Sequence, residues 1–524
     1  MNRSKRLIGL CVASLILLLA ARPAMADGSD AAKTILDQQC GKCHERTADG
    51  TLNRIGEIRE IADGWALTIR RMREWHHITV SEDEERVLVK YLADTQGLAP
   101  EETAPYRAVL ERRPGIVETA DDPDIKVFCA RCHTYARVGL QHRDTAEWVK
   151  LVHGHVGQFP TLEYQESARN REWFKLATTV IAAKLGEKWP FSTTAWSQWK
   201  THQPADLSGS WRVVGHRPGK GDYSGSLTAT KSGQDEYTLR YSLAYADGSK
   251  LAGSGHAILY TGFVWRGTSQ LGKERVNEVY EVSADGNHIS GRWFLADNDG
   301  VGGDLRAVRA GTPELLAVQP PYIKAGQSTR LTLVGSGLSG SPDLGPGVRI
   351  EKVITSSAEG ATVIATADNS AAGGLRPVAV GQSKLADGLV VYDKVDTVAV
   401  EPPYTIARTG ANGGPVATVP AQFEAVAFMR GPAGPMRIGV MPANWSLAPF
   451  DTAAGEADDV RFAGKMGQDG LFRPAGAGPN RARHGGNNVG NLTIKAVVAD
   501  GPVKLQGTGH LIVTVQRWND AVIR

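Results

Sequence analysis

Cysteine is scarce in this chain. Five occur in 524 residues, and the first, Cys11, lies in an N-terminal stretch built like an export signal. Met1-Asn2-Arg3-Ser4-Lys5-Arg6 is basic, Leu7 to Ala20 is apolar, and Ala24-Met25-Ala26 has the small-residue pattern of a cleavage site. Cleavage after Ala26 leaves four cysteines, with none to spare for a structural disulfide outside the motifs described below. Long apolar runs are also missing. Beyond the signal no stretch reaches the ~20 apolar residues a membrane-spanning helix needs, so no membrane anchor is expected. A basic surplus is missing too: 59 Lys and Arg face 56 Asp and Glu, for a net charge of +3. Cleavage removes Arg3, Lys5, Arg6 and Arg22 and no acid, which turns +3 into −1. Nucleic-acid binding therefore has no electrostatic support. No Gly-Lys-Ser/Thr phosphate loop, nucleotide fingerprint, paired carboxylates or Ser/His/Asp set stands out in the C-terminal half, which argues against catalysis there.

The four remaining cysteines are present in a telling arrangement. They form Cys40-Gly41-Lys42-Cys43-His44 and Cys129-Ala130-Arg131-Cys132-His133. Each is C-x-x-C-H, the attachment signature of c-type haem. Two thiols at this spacing reach the two vinyl groups of one porphyrin, and the following histidine lies under the iron as proximal ligand. Disulfides or a Cys/His zinc site are the competing readings. Two such motifs that use every cysteine left after processing favour two covalently bound haems. Cys40, Cys43, Cys129 and Cys132 would attach them, and His44 and His133 would ligate the irons. Export combined with C-x-x-C-H points to the bacterial periplasm.

The sixth ligands follow from an internal repeat. Trp65-Ala66-Leu67-Thr68-Ile69-Arg70-Arg71-Met72 follows the first motif, and Trp148-Val149-Lys150-Leu151-Val152-His153-Gly154-His155 follows the second. Aligned on the tryptophans, Met72 stands opposite His155. The spacing from the proximal histidine is 28 residues in one half and 22 in the other. Methionine is scarce as well: after the cleavage site, Met72 is the only one before Met429. Met72 is thus the expected ligand of the first haem, with His76 and His77 as competitors. No methionine lies near the second motif, so a second histidine is expected there: His155, ahead of His153 and His142. Thioether sulfur raises a haem potential above that of a bis-histidine haem. Electrons would then run from the second haem to the first, and two saturated irons favour electron transfer over haem catalysis.

Residues 27 to about 205 read as helical. Ser81-Glu82-Asp83-Glu84 has the form of a capping box and predicts a helix through Leu88 and Leu92 that Gly97 stops. Another helix runs through Trp173, Leu176, Val180, Ile181 and Leu185, with Gly186 as its expected end. Asp121-Asp122-Pro123-Asp124 marks a turn before the second half. From about 206 the period changes to two. Ala246-Asp247-Gly248 and Ala284-Asp285-Gly286 are hairpin turns in what reads as a small antiparallel barrel of about seven or eight strands, 206–311. Ala317-Val318-Gln319-Pro320-Pro321-Tyr322 recurs 82 residues later as Ala399-Val400-Glu401-Pro402-Pro403-Tyr404. Short alternating strands after each copy read as two immunoglobulin-like β-sandwiches, 312–396 and 397–524. The second contains a Gly-rich, polar stretch, 464–490, with Arg473, Asn480, Arg481, Arg483, His484 and Asn488, expected to be a long packing loop.

The order of these parts is export signal (1–26), tandem C-x-x-C-H domain (27–205), small barrel and two sandwiches. It resembles the α (dihaem) subunit of quinohaemoprotein amine dehydrogenase over essentially the whole mature chain. The resemblance implies a helical tandem cytochrome c domain. It also implies two partners, a β-propeller subunit and a small subunit carrying cysteine tryptophylquinone. That quinone oxidises a primary amine to aldehyde and ammonia, and the haems pass electrons to a periplasmic blue-copper protein or cytochrome c. By resemblance, Cys40, Cys43, His44 and Met72 hold one haem, and Cys129, Cys132, His133 and His155 the other. Amine oxidation itself is expected on another chain, since no cysteine remains here to build the quinone. Two other readings are a free-standing dihaem enzyme such as a peroxidase and a haem-bearing binding or scaffold protein.

Overall fold

The computed structural model describes residues 28–113, 115–159, 162–411, 417–483 and 486–515. The export segment with Cys11, and His484 of the Gly-rich stretch, lie outside the described residues. Helices occupy the part up to Trp199, and strands nearly all of the rest. No helix among the described residues is long and apolar enough to cross a membrane.

The helical part is built twice. In each half a three-residue strand leads into a long helix whose fourth residue is a buried tryptophan. The strand Ile58–Glu60 precedes the Trp65 helix, Ala62–His76. The strand Gln141–Arg143 precedes the Trp148 helix, Thr145–Gln158. The two strands pair antiparallel, with Arg59 opposite His142. The halves therefore meet back to back at this ribbon, and the tryptophan alignment holds in three dimensions. Trp65 and Trp148 are 1% and 2% exposed and anchor separate cores. The Trp65 core gathers Ile58, Ile69, Leu88, Val89 and Leu92. The Trp148 core gathers Ile125, Val138, Ile181, Leu185 and Trp189.

Local chemistry sets the helix ends. Ser81 and Glu84 form the capping box of the helix Glu82–Thr95, and Gln96 closes it just before Gly97. The Asp122-Pro123 turn is a helix start: the Asp122 carboxylate accepts from the Asp124 and Ile125 N–H groups at 2.9 Å, and Pro123 takes the first helical position. Gly186 does not end its helix. The segments Trp173–Leu176, Ala177–Ile181 and Ala182–Lys188 follow one another without a break, the middle one a π turn, and Trp189 is the cap. Gly186 is needed for close approach instead: a Cβ there would stand 2.3 Å from Thr145 Oγ1 and 2.9 Å from its backbone nitrogen. The helix can thus pack onto the start of the Trp148 helix only where a side chain is missing.

Eight antiparallel strands, from Gly209–Arg217 to Asn298–Arg309, close into a barrel when the last pairs with the first. Both Asp-Gly hairpin turns are present, with Gly248 at φ +82° and Gly286 at φ +69°. Trp211, Trp265, Trp293, Tyr223, Tyr237 and Tyr280 fill the interior, so this is a packed core. The barrel carries the first half of the helical part. Tyr260, Phe263 and Val264 join the Trp65 core, Asp63 pairs with Arg266 at 2.9 Å, and Trp199 Nε1 donates to the Thr261 carbonyl at 2.8 Å.

Two β-sandwiches follow. In each, the chain leaves one sheet, passes Pro-Pro, and pairs parallel with the last strand of the opposite sheet. Glu314–Gln319 pairs with Ser328–Ser336, and Tyr322–Lys324 then pairs with Ser383–Tyr392. Thr397–Glu401 pairs with Glu424–Gly431, and Tyr404–Arg408 then pairs with Val503–Thr514. The Pro-Pro-Tyr repeat thus marks the same sheet-to-sheet crossing twice. The stretch 464–490 is partly ordered as strands, Gly464–Met466 and Leu471–Pro474. Arg483 ties it down by donating to Asp459 at 2.7 Å and to the Val489 carbonyl at 2.6 Å.

Candidate haem-binding site

Both C-x-x-C-H segments are tight turns at helix ends. Cys40 closes a π turn, Leu36–Cys40, and its carbonyl accepts from Cys43 N at 3.1 Å and His44 N at 3.0 Å. Cys129 is the last residue of the helix Pro123–Cys129. All four cysteines are free thiols, with Cys43 and Cys132 exposed. Burial, and then the charge of Cys43, pushes Cys40 up to about 11. Burial and Asp122 push Cys129 up to about 12. A C-x-x-C redox site instead lowers the pKa of its attacking thiol.

The histidines are set in one common way. His44 Nδ1 lies 3.0 Å from the Asn53 carbonyl, His133 Nδ1 3.0 Å from the Thr134 carbonyl, and His155 Nδ1 2.8 Å from the Leu151 carbonyl. A carbonyl can only accept, so each Nδ1 carries the proton and each Nε2 keeps its lone pair. That is the tautomer an iron ligand requires, fixed by the backbone. Burial, then the charges of Arg137, His155 and Arg71, hold His133 down to about 4. Burial, and the charges of Arg71, Arg137 and Arg143, lower His155 as well. Both rings are thereby kept neutral.

Met72 is half-buried near the end of the Trp65 helix, where its carbonyl accepts from the His77 N–H. His76 and His77 are exposed, and His77 takes the left-handed conformation that ends the helix. His153 packs edge-on against Phe174, ring centres 4.9 Å apart. His142 belongs to the junction between the halves. Its Nδ1 lies 3.1 Å from Arg59 Nη2 and 3.0 Å from the Pro190 carbonyl, and burial holds it down to about 4. Met72 and His155 each lie two turns beyond their tryptophan on matching helices.

The second half leaves apolar side chains and one face of its long helix uncovered. Gly154 and Gly157 on the Trp148 helix have nothing within 4 Å of where a side chain would begin. Val127, Val156, Tyr164 and Val180 leave 44–68% of their surface open. A fixed-tautomer histidine directly after each free cysteine pair, with uncovered apolar side chains in the second half, fits a covalently held haem.

The junction is a buried polar network that the sequence reading did not include. Arg59 donates to both oxygens of Glu102 at 2.9 Å, to the Gly97 carbonyl at 3.0 Å and to the Phe191 carbonyl at 2.5 Å. Arg143 donates to Glu60 at 2.7 Å, crossing from one half to the other. Its one sequence signal is weak: charged residues on strands that flank an otherwise apolar core.

Comparison with known proteins agrees with this geometry. The family described as Quinohemoprotein amine dehydrogenase A, alpha subunit, haem binding, matches residues 30–196. The families of alpha subunit domains II, III and IV match 204–310, 312–393 and 398–523. No match was found among curated proteins. Among solved structures, a redesigned β-barrel, mFAP0, bound to DFHBI, is 15% identical over 20% of this chain and 98% of its own, with a TM-score of 0.18. Mouse clustered PcdhgC3 EC1-3 is 11% identical over 45% of this chain and 86% of its own, with a TM-score of 0.17. The S-layer protein SbsC, domains 5-6, is 13% identical over 39% of this chain and 98% of its own, with a TM-score of 0.16. The four family matches follow one another along nearly the whole chain, and the chain belongs to the alpha-subunit family of quinohemoprotein amine dehydrogenase, as a haem-binding subunit of that oxidoreductase.

Proposed function

We propose that this chain is the electron-transfer subunit of a periplasmic amine dehydrogenase complex, carrying two covalently bound haems. Cys40 and Cys43 attach one, with His44 and Met72 as its axial ligands. Cys129 and Cys132 attach the other, with His133 and His155. The observation that carries this is the matched pair of sites: each motif is followed by a backbone-locked histidine, and each has a candidate sixth ligand at the same place on a repeated helix. The haems would supply one-electron redox chemistry; the cysteines of this chain would attach them, and its backbone carbonyls fix the imidazole tautomers.

Amine oxidation belongs to a cysteine tryptophylquinone on a small partner subunit. A β-propeller subunit completes the heterotrimer, and a blue-copper protein or cytochrome c accepts the electrons. The chain is exported by its cleaved signal, 1–26. Residues 27–205 form a tandem cytochrome c domain, 206–311 the barrel, and 312–396 and 397–524 two immunoglobulin-like domains. The strand that crosses between sheets at each Pro-Pro supports the last assignment. The experiment is anaerobic addition of a primary amine to the complex purified from its native host. Reduction of the haem bands is expected. Haem bands that stay oxidised, with no quinone-bearing subunit co-purifying, would sink the proposal. Met72→Ala and His155→Ala are each expected to turn one haem high-spin in the visible spectrum and leave the other low-spin.

A further inference from the structure

The two long helices of the helical part are joined at both ends. At their starts, the strands that lead into them pair, Ile58–Glu60 with Gln141–Arg143. At their far ends, two aromatic rings meet. Trp75 lies in the last turn of the Trp65 helix, Ala62–His76, and Phe159 caps the Trp148 helix, Thr145–Gln158. Their ring centres are 5.9 Å apart with the planes at 76°, an edge-on pair. The Arg71 guanidinium lies against both rings, 5.9 Å from the centre of Trp75 and 6.0 Å from that of Phe159. The three side chains form one cluster across the two halves.

The place of this aromatic pair is specific. Trp75 is three residues past Met72, and side chains three apart on a helix are neighbours on one face. Phe159 is four residues past His155. Its N–H donates to the His155 carbonyl at 2.9 Å, and its ring centre lies 5.2 Å from that of the His155 ring, tilted by 52°. Each candidate sixth ligand thus carries an aromatic ring one turn on, and the two rings touch. The other histidines of the second half are engaged elsewhere: His153 packs on Phe174, and His142 sits in the junction with Arg59 and the Pro190 carbonyl. Stability alone is a weak reason for the pair. Trp75 keeps 42% of its surface exposed, and an edge-on contact at the surface buries little apolar area.

We infer that Trp75 and Phe159 bridge the two haem sites, holding the Met72 side of one against the His155 side of the other and carrying the electronic coupling between them. The transfer they serve moves one electron. Ferrous haem at the second motif is oxidised to ferric, ferric haem at the first is reduced to ferrous, and no bond or proton moves. The rate of such a step falls steeply with the width of the gap and with empty space in it. The haems carry the redox chemistry, and the chain supplies their orientation and the contact between them. Trp75 and Phe159 are positioning residues and ligate neither iron. The inference rests on the proposal that haem is attached at both motifs with Met72 and His155 as sixth ligands.

The test uses the complex purified from its native host, with Trp75→Leu and Phe159→Leu made singly and Trp75→Phe and Phe159→Tyr beside them. Haem per chain, midpoint potentials and low-spin spectra are recorded first and are expected to match wild type. A radiolysis pulse then delivers less than one electron per complex, and the visible bands of each haem follow its redistribution from the second haem to the first. Each Leu variant should slow that redistribution about tenfold, within the loss that a misplacement of about 1 Å can cost a positioned reaction. The ring-retaining variants should recover most of the rate. Leu variants with both haems and a wild-type rate overturn the inference alone, and so does equal slowing in the ring-retaining variants. A wild-type chain without two covalent haems overturns the functional proposal and this inference with it. Should a Leu variant lose a haem, Trp75→Met or Phe159→Met, which fills the place without a ring, takes the measurement in its stead, and a wild-type rate there overturns the inference.

Discussion

The two halves of the helical region share a plan and differ in what they lean on. The first half shares its core with the barrel: Tyr260, Phe263 and Val264 pack beside Trp65, Leu88 and Leu92. The second half closes on itself around Trp148 and leaves Val127, Val156, Tyr164 and Val180 open. One copy of the repeat is thus mounted on a rigid β platform, and the other is joined to the first across the Arg59/His142 ribbon. On the proposed reading, the second half has more apolar surface for a porphyrin to cover, and its stability should depend more on its haem.

The strongest test of that difference is removal of the attachment cysteines. Cys40→Ala with Cys43→Ala, and Cys129→Ala with Cys132→Ala, should each halve the haem content. Limited proteolysis should then cut the second half readily after it loses its haem, while the first, held by the barrel, resists. Equal protease sensitivity in the two variants would break the comparison. Trp65→Ala and Trp148→Ala should each cost about 3–5 kcal/mol, the usual penalty for emptying a large buried site. The Trp65 change should lower the main unfolding transition in denaturant. The Trp148 change should produce a separate, earlier one.

Arg143→Met strands Glu60 in the junction and should destabilise both halves together, by about 3–5 kcal/mol. Adding Glu60→Leu should recover much of this, which a double-mutant cycle in denaturant would measure. The smallest effect is expected far from the haem sites. His216 is gripped by Asp222 and Glu424, each at 2.6 Å, and so links barrel to last sandwich. Burial opposes its charge, but the two carboxylates outweigh burial and raise it to about 10. Its stabilisation is therefore full below the ordinary value of 6.5 and is lost as pH rises through about 10. Melting temperature should fall more steeply over that window in wild type than in His216→Asn. Parallel slopes would show that the clamp contributes nothing.

Much of the site could be read from the residues in order. Attachment needs two thiols and a histidine at fixed short spacing, so chemistry writes it locally. The tryptophan repeat carried the candidate sixth ligands, because a helix turns the seven-residue step from Trp65 to Met72, and from Trp148 to His155, into the same displacement. Ser81/Glu84 was legible for the same reason, since a cap acts within three residues; Asp122-Pro123 was legible only as a turn, and its role as the cap of Pro123–Cys129 came from the structure. Gly186 was misread because glycine has two uses, ending a helix and letting another element come close, and only the position of Thr145 tells them apart. The Arg59 network was invisible, since its partners lie 38 to 134 residues away in sequence and nothing local marks an arginine as buried.

The sequence by itself thus determined the two C-x-x-C-H motifs of a haem-binding domain, the duplication and the change from helix to strand near residue 206. Each is a matter of covalent spacing or of local period. Tertiary structure alone decided which copy stands on the barrel, how the two copies pair through Arg59 and His142, and how Arg143 of one copy reaches Glu60 of the other. Those outcomes depend on burial and on contacts between distant residues. A guanidinium acquires its role from the charges and solvent removed around it, and its position in the chain does not state them.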